Sequence, residues 1–261
     1  MLVYFLRVIA RSLDVKAFVI NLEKDHERRE KIVKQCVINK LNYELIHAVD
    51  GRTLAAEMLT LVTHDYPRCA LTQGEIGCAL SHLSIYARMV AEDVPYALVL
   101  EDDSVPGTNL ASHLAGIKKL ISVTRPEVFL LDGKSVYNHK LKKTDIYNNN
   151  YYRVAYGSGS HGYIINQPAA REIIKQNFPV VFEADRWTLF RLNGNLHVWR
   201  SEACVIDSSD VNRETSVLEG ERKKYFSARS AYINKFKRTM RFYQARRIKD
   251  VLLNKTGLVK N

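Results

Sequence analysis

Three consecutive carboxylates, Glu101, Asp102 and Asp103, stand directly after a short apolar run (ALVL) in the middle of the sequence. If the run is a buried strand, three carboxylates at its end repel one another and lose hydration. A divalent cation, which prefers oxygen ligands, relieves both costs. Because side chains alternate along a strand, Glu101 and Asp103 are expected on the same side. We therefore expect Asp103 to be the principal metal ligand, with Glu101 or Asp102 assisting it or binding a ribose, unless the triplet is only a solvated acidic turn.

The beginning of the sequence offers a second group of polar side chains. Asn21 lies near the end of an apolar run (KAFVINL, 16–22), where the base or ribose of a nucleotide would lie beyond a strand. Arg28 and Arg29 follow, and their forked guanidinium donors suit a pyrophosphate. The alternative for one of these two arginines is the solvated face of a helix.

A third group lies at the start of an amphipathic pattern in the segment 72–82. Gly74 and Gly77 would let the start of a helix approach a ligand closely, and Glu75 and His82 would supply polar contacts. The alternatives are structural. Glu75 completes a capping-box pattern with Thr72, and His82 is a hydrogen-bonded core residue.

Short apolar runs that alternate with helical patterns are expected to position these groups. The runs predict strands at residues 16–22, 43–49, 96–100, 128–131, 151–155 and 162–165. Helices are expected to follow Asp25 and Thr72, to cover residues 110–121, and to start again at Pro168. This alternation predicts an α/β fold with a mostly parallel central sheet covered by helices on both faces.

Several segments resemble the family 25 glycosyltransferases, which include bacterial lipooligosaccharide galactosyltransferases and collagen-modifying galactosyltransferases. The similar segments are FVINL with the two arginines, LTQGEIGCALSH at 71–82 and ALVLEDD at 97–103, with weaker similarity in GSHGYII at 159–165 and FEADRW at 182–187. They follow one another in the family's order over residues 17–210, and the resemblance stops before the C-terminal tail.

The resemblance implies a GT-A-like single nucleotide-binding domain, a UDP-sugar donor, Mn²⁺ or Mg²⁺ as cofactor, and inversion at the anomeric carbon. It makes the acidic triplet the counterpart of the family's Asp-x-Asp metal motif, although Glu101 departs from that motif. The expected activity is transfer of a hexose, galactose in preference to glucose, to a saccharide acceptor of lipooligosaccharide. The donor-binding residues would be Asn21, Arg28, Gly74, Glu75, His82 and Asp102, beside Asp103 and Glu101 as metal ligands.

An inverting transfer also needs a carboxylate that takes the proton from the acceptor hydroxyl as the hydroxyl attacks. The segment similar to the family at 182–187 makes Asp185 the candidate catalytic base. The alternative is a helix N-cap, which an aspartate there would equally satisfy. Trp187 either stacks on a sugar or belongs to the core. His161, Asp207 and Asp210 are further candidate metal or phosphate contacts, and the sequence does not select among them.

The positive charge of the chain is concentrated at its C-terminus. The net charge is +11, and residues 213–261 hold 14 Lys and Arg against 4 Asp and Glu. We therefore predict a glycosyltransferase domain at 1–212 and a basic amphipathic helical tail at 213–261. An aromatic and apolar stripe marks this tail at Tyr225, Tyr232, Phe236, Met240 and Tyr243.

The tail pattern is suited to anionic lipid headgroups, so an anionic membrane surface is an expected partner. Packing of the stripe on the domain is the alternative, and both can hold. No nucleic acid is expected, because the domain itself carries almost no net charge. The expected location is the cytoplasmic face of the bacterial inner membrane, with the four cysteines reduced. The apolar residues 1–6 (MLVYFL) are interpreted as a docking segment or an edge element.

Two other functions fit the same residues. A nucleotidyltransferase also uses a carboxylate cluster, a metal and a nucleotide at a sheet end, but it releases pyrophosphate. A non-catalytic saccharide- or lipid-binding module of the same fold would bind the donor without forming product.

Overall fold

The computed structural model of the chain describes residues 15–209, 217–240, 243–255 and 257–259. Within these ranges it contains eleven strands and eight α-helices. The apolar start at residues 1–6 and Asp210, for which the sequence suggested roles, lie outside the described residues. So does most of the segment that joins the predicted domain to the predicted tail.

The helices are α1 His26–Ile38, α2 Ala56–Val62, α3 Gln73–Ala91, α4 Leu110–Leu120, α5 Gln167–Asn177, α6 Trp187–Asn193, α7 Val217–Thr239 and α8 Tyr243–Asn254. The strands are β1 Lys16–Asn21, β2 Asn42–His47, β3 Tyr96–Glu101, β4 Ser104–Pro106, β5 Glu127–Leu130, β6 Val136–Thr144, β7 Asn150–Tyr156, β8 Gly162–Asn166, β9 His197–Ser201, β10 Ile206–Ser208 and β11 Leu258–Val259. All six predicted strands and the four predicted helices are present, with ends that differ by one or two residues.

Nine strands form one sheet in the order β11-β6-β7-β9-β5-β8-β3-β1-β2, and β10 and β4 form a small second sheet. The prediction of a mostly parallel sheet was wrong. The pairs β1–β2, β1–β3 and β5–β9 are parallel, whereas β8 runs antiparallel to both β3 and β5, and β7 runs antiparallel to β6 and β9. Parallel neighbours need a long crossover, and the short connections on either side of β7 carry no helix.

The central strands are apolar along their whole length because both sheet faces are covered. In β3, Ala97 and Val99 face one core cluster, and Leu98 and Leu100 face the other. Helices α3 and α5 cover the first face, whereas α1 and α4 cover the second. Burial on both faces fixes the direction of β3 and therefore the place where its last residue, Glu101, emerges.

The helical tail packs on the domain. Met240 and Tyr243 are buried, and Tyr232 and Phe236 pack against the larger core cluster, while Tyr225 stays exposed. The predicted stripe thus serves mainly as a packing surface. Among the described helices, none has the length and apolarity to cross a membrane. All four cysteines are free thiols.

Candidate active site

A cleft of about 740 Å³ opens where β3 and β5 end. Its wall combines six carboxylates with the loop 157–161 that joins β7 to β8. These carboxylates are Glu75, Glu101, Asp103, Asp132, Glu183 and Asp185, and His161 and Arg222 line the cleft beside them. The cleft therefore lies at the strand ends where ligands of α/β sheets bind.

Glu101 and Asp103 both face this cleft, whereas Asp102 does not, as strand alternation predicts. The Oδ2 atom of Asp103 accepts a hydrogen bond of 2.8 Å from the Ser208 hydroxyl, which β10 supplies. Its Oδ1 atom is buried and has no hydrogen-bond partner among the residues that the structure describes. Burial raises the pKa of Asp103, and the charge of Glu101 raises it further. Asp103 therefore presents a desolvated carboxylate oxygen that a cation would stabilise.

The Glu101 carboxylate contacts the ring of His82. The Nε2 atom of His82 lies 3.3 Å from Glu101 Oε1, and its Nδ1 atom lies 2.7 Å from the Tyr163 hydroxyl. Burial by itself raises the pKa of Glu101, but the hydrogen bond and charge of His82 outweigh it and lower the pKa to about 2. His82 is almost fully buried. It is thus a hydrogen-bonded core residue that orients a cleft carboxylate, and it does not line the cleft itself.

Asp103 and the nearby His161 both carry atoms that could bind a divalent cation. His161 lines the same cleft, and within the described part of the chain its buried Nε2 atom has no hydrogen-bond partner. The charge of His161 lowers the pKa of Asp103 and of Glu101, so the ring lies near both carboxylates. Asp103 thus offers a carboxylate oxygen and His161 an imidazole nitrogen, and both atom types bind divalent metals in proteins.

Cys78, His82 and Glu101 also bring three possible ligand atoms within 4.8 Å of one another. Both ring nitrogens of His82 already contact Tyr163 and Glu101. Burial raises the pKa of the Cys78 thiol well above its usual value. In this arrangement His82 orients Glu101 with one ring nitrogen and contacts Tyr163 with the other.

Asp132 is a cleft residue to which the sequence analysis assigned no role. It follows β5 as Asp103 follows β3, and burial raises its pKa. The available signal was the same as for the triplet, an aspartate directly after a buried strand. Asp207, in contrast, is not among the residues that line the cleft, and its Oδ1 atom accepts a hydrogen bond of 2.8 Å from Lys134, which does line it.

Asn21, Arg28 and Asp102 form a separate hydrogen-bonded cluster beside the cleft. The Nδ2 atom of Asn21 donates to Asp102 Oδ2 at 2.8 Å, and Arg28 contacts Asp102 Oδ1 at 2.9 Å. Burial raises the pKa of Asp102 to about 6, although Arg28 and Asn21 lower it. Arg29 donates to Asn21 Oδ1 at 2.9 Å and to the carbonyl of Glu23. Of the two arginines, Arg29 is held by protein groups and Arg28 keeps 39% of its side chain exposed.

The start of α3 carries the remaining predicted donor residues. Glu75 and Thr72 form the predicted capping box, and Glu75 Oε1 also accepts a hydrogen bond of 2.9 Å from Arg222 of α7. Gly74 is half-buried in the first turn of α3. Gly77 faces Gly51 and the carbonyl of Val49, so that its missing side chain serves chain packing rather than a ligand. Glu75 and Arg222 thus form part of the cleft wall together.

Asp185 faces the cleft and does not cap α6. Arg186 occupies the N-cap position, and no side chain makes the cap hydrogen bond. Asp185 Oδ2 instead accepts from the Gly159 amide at 2.9 Å, while Trp187 Nε1 donates to the Gly159 carbonyl at 2.8 Å. Gly159 has a φ of +101°, which favours glycine. The start of α6 and the loop 157–161 therefore hold each other in place. Trp187 is fully buried and belongs to the core.

Comparison with known proteins places these features in a family context. The chain is 24% identical over 227 residues to the lipooligosaccharide biosynthesis protein lic2B of Haemophilus influenzae, covering 81% of this chain and 85% of that protein. It is 33% identical over 94 residues to procollagen galactosyltransferase 2 of Mus musculus, covering 33% of this chain. The chain spans only 15% of the length of that second relative.

Among solved structures, A197 from STIV aligns with a TM-score of 0.38 and 15% identity, covering 75% of this chain and 82% of that chain. A similarity this low carries no functional inference. The sequence profile of "Glycosyltransferase family 25 (LPS biosynthesis protein)" matches residues 14–188, a range that contains the acidic triplet, the loop 157–161 and Asp185. This chain therefore belongs to glycosyltransferase family 25.

Proposed function

We propose that this protein is an inverting, metal-dependent glycosyltransferase that transfers a hexose from a UDP-sugar to a saccharide acceptor of lipooligosaccharide. The observation that carries this proposal is the convergence of Glu101, Asp103 and Asp185 on one cleft at the ends of the central strands. The arrangement of these strands is proposed to be GT-A-like. Galactose is the favoured hexose and glucose the alternative.

Asp185 would act as the base. One of its oxygens is committed to the Gly159 amide, and this hydrogen bond orients the carboxylate so that the other oxygen can meet an acceptor hydroxyl. The hydroxyl proton passes to Asp185 while the hydroxyl oxygen bonds to the anomeric carbon and the bond to UDP breaks. A single displacement of this kind inverts the configuration at that carbon.

Asp103 and His161 would hold the Mn²⁺ or Mg²⁺ ion, with Glu101 and its His82 support nearby. The ion would neutralise charge that develops on the diphosphate as the sugar leaves. Asn21, Asp102 and Arg28 would bind the nucleoside end of the donor, because Asp102 is fixed by Asn21 and Arg28 keeps an exposed guanidinium. Gly74 and Glu75 would approach the donor at the start of α3.

The acceptor is proposed from the relative with the more extensive match, whose name places it in lipooligosaccharide biosynthesis. Such an acceptor is lipid-linked, and α8 offers a surface for an anionic membrane. Ile248 and Leu252 are 63% exposed, one helical turn apart, and Lys249 is exposed beside them. We propose that the basic tail at 213–261 binds the cytoplasmic face of the bacterial inner membrane, while the domain at 1–212 carries the catalytic site. No nucleic-acid partner is proposed.

The test is UDP release from a panel of UDP-sugars, with Mn²⁺ and with EDTA, in the presence of lipooligosaccharide. Asp103→Asn keeps the size of the side chain and an acceptor for Ser208 but removes the charge. Glu92→Gln removes a charge at the far end of α3, so it serves as the matched control. We expect metal-dependent UDP release by the wild type and the control, and a loss of at least about a hundredfold in Asp103→Asn.

The same assay separates the alternatives. Pyrophosphate release from a nucleoside triphosphate would identify a nucleotidyltransferase. Donor binding without UDP release would identify a non-catalytic module. One human relative is named "Inactive glycosyltransferase 25 family member 3"; it is 26% identical over 188 residues and is matched over 32% of its length. Either result refutes the proposed transfer.

A further inference from the structure

A second cleft, of about 570 Å³, lies between the loop 157–161, α6 and the two tail helices. It shares Tyr156, Gly157, Ser158, Arg186 and Thr188 with the first cleft, so the two are continuous. The tail supplies its other side, through Lys237 and Arg238 of α7 and Arg247 of α8. A molecule that extends from Asp185 past Tyr156 therefore enters a space that the tail completes.

The tail side of this second cleft carries positive charge without counterions. Asp250 is its one acidic lining residue, and both its oxygens bind Arg191. In the described part of the chain, no carboxylate pairs with Lys237, Arg238 or Arg247. Burial lowers the pKa of Lys237, and the positive charges of Arg186 and Arg247 lower it further. Several cations that repel one another in a half-buried cleft are stabilised by an anion.

The junction of the two clefts has a different character. Tyr156 is 49% exposed and lines both clefts. An exposed aromatic ring with a hydroxyl suits the apolar face and hydroxyl groups of a sugar. An aromatic platform followed by a cationic surface matches a sugar chain that carries acidic groups.

We infer that the second cleft is the acceptor subsite and that it binds a saccharide carrying phosphate or carboxylate groups. This inference rests on the proposed function and names the chemistry of its acceptor. Phosphate and carboxylate oxygens would accept charge-assisted hydrogen bonds from Lys237, Arg238 and Arg247. The sugar residue to be extended would lie over Tyr156, with its hydroxyl toward Asp185.

The test measures binding of three soluble disaccharides to the full chain by calorimetry. These are lactose, lactose phosphate and lactobionate, which are neutral, phosphorylated and carboxylated. We expect the two anions to bind at least about tenfold more tightly than lactose. Lys237→Gln/Arg247→Gln should abolish this difference. Lys223→Gln/Lys235→Gln, which removes two charges from exposed positions of α7 outside both clefts, should preserve it.

Four results would overturn the inference. The first two are equal binding of the three disaccharides and equal losses of binding in the two double variants. The third is inorganic phosphate binding as tightly as lactose phosphate. The fourth is a Lys237→Gln/Arg247→Gln variant that loses only its binding to phosphatidylglycerol vesicles, which would assign these charges to lipid headgroups. Donor hydrolysis is followed in parallel. Its absence in the wild type would refute the proposed transfer, whereas the disaccharide comparison decides the subsite independently.

Discussion

Arg229 connects the tail to the catalytic cleft, and its removal should measure how strongly the two depend on each other. Its side chain is only 7% exposed and contacts the Glu183 carboxylate through Nε at 3.2 Å and through one terminal nitrogen at 2.9 Å. The guanidinium also donates to the carbonyls of Cys69 and Val181 at 2.9 and 2.7 Å. Arg229→Met keeps the apolar stem and removes all of these hydrogen bonds.

The expected loss of folding free energy depends on the Glu183 carboxylate, which remains buried after Arg229 is removed. Breaking a buried ion pair by removing one partner costs about 3–5 kcal/mol, because the other charge is left desolvated. Glu183 keeps the hydrogen bonds from Arg186, whose side chain is 44% exposed, so we take the lower end of this range. A loss of about 3 kcal/mol lowers the melting temperature of a chain of this size by about 6–12 °C.

The loss should depend on pH. Burial by itself raises the pKa of Glu183, but hydrogen bonds from Arg186 and Arg229 outweigh it and hold that pKa well below its usual range. Because the pKa is lower in the folded state than in the unfolded state, the stabilisation is complete above the ordinary glutamate pKa and is lost as the pH falls. The difference between wild type and Arg229→Met should therefore shrink on acidification.

Thermal and urea unfolding, followed by circular dichroism, provide the assay. Arg238→Met is the matched control, because it makes the same substitution at an exposed position of the same helix. Arg229→Met should also reduce UDP release, since Arg229 anchors the helix that brings Arg222 to Glu75. Melting temperatures within 2 °C of each other for the two variants at neutral pH, on the scale set above, would refute this account of the tail.

Three further predictions concern the cleft. Asp185→Asn should keep the Gly159 contact and donor binding but lower kcat by about 10²–10⁴-fold. Stopped-flow kinetics would measure the transfer step and calorimetry would measure donor binding. An unchanged kcat would show that Asp185 is not the base. Gly159→Ala should destabilise the fold by about 1–2 kcal/mol in urea unfolding, because its φ is positive and a β-carbon would approach Asp132. Tyr156→Ala should raise KM for the acceptor several-fold and leave KM for the donor unchanged; the reverse result would contradict the acceptor path over this ring.

The sequence was sufficient for features that depend on neighbouring residues. The β3 run and the triplet after it are contiguous, so alternation alone predicts that Glu101 and Asp103 share a side. The capping box at Thr72 and the strands β1 and β3 are equally local. Asp185 was identified through the family resemblance, and the structure distinguishes its Gly159 contact from a helix cap.

Features that depend on distant pairing could not be predicted in this way. The strand β6 (VYNHKLKKT) is mostly polar because one side of it is exposed, so its apolar signal is weak. The hairpin that it forms with β7 reverses the chain without a helix, and the sheet direction changes there. The sequence distinguished the tail from the domain only by its positive charge. That charge does not indicate that Arg222 reaches the cleft or that Arg229 reaches the core.

The position of β9 has a consequence for how the chain acquires its structure during synthesis. This strand comes from residues 197–201, yet it lies between β5 and β7 and is the link between the ribbon β11-β6-β7 and the rest of the sheet. Until β9 is made, the earlier strands form two separate groups with exposed edges. A ribosome that stalls before residue 197 would therefore present an open β5 edge, the kind of unpaired strand that invites aggregation.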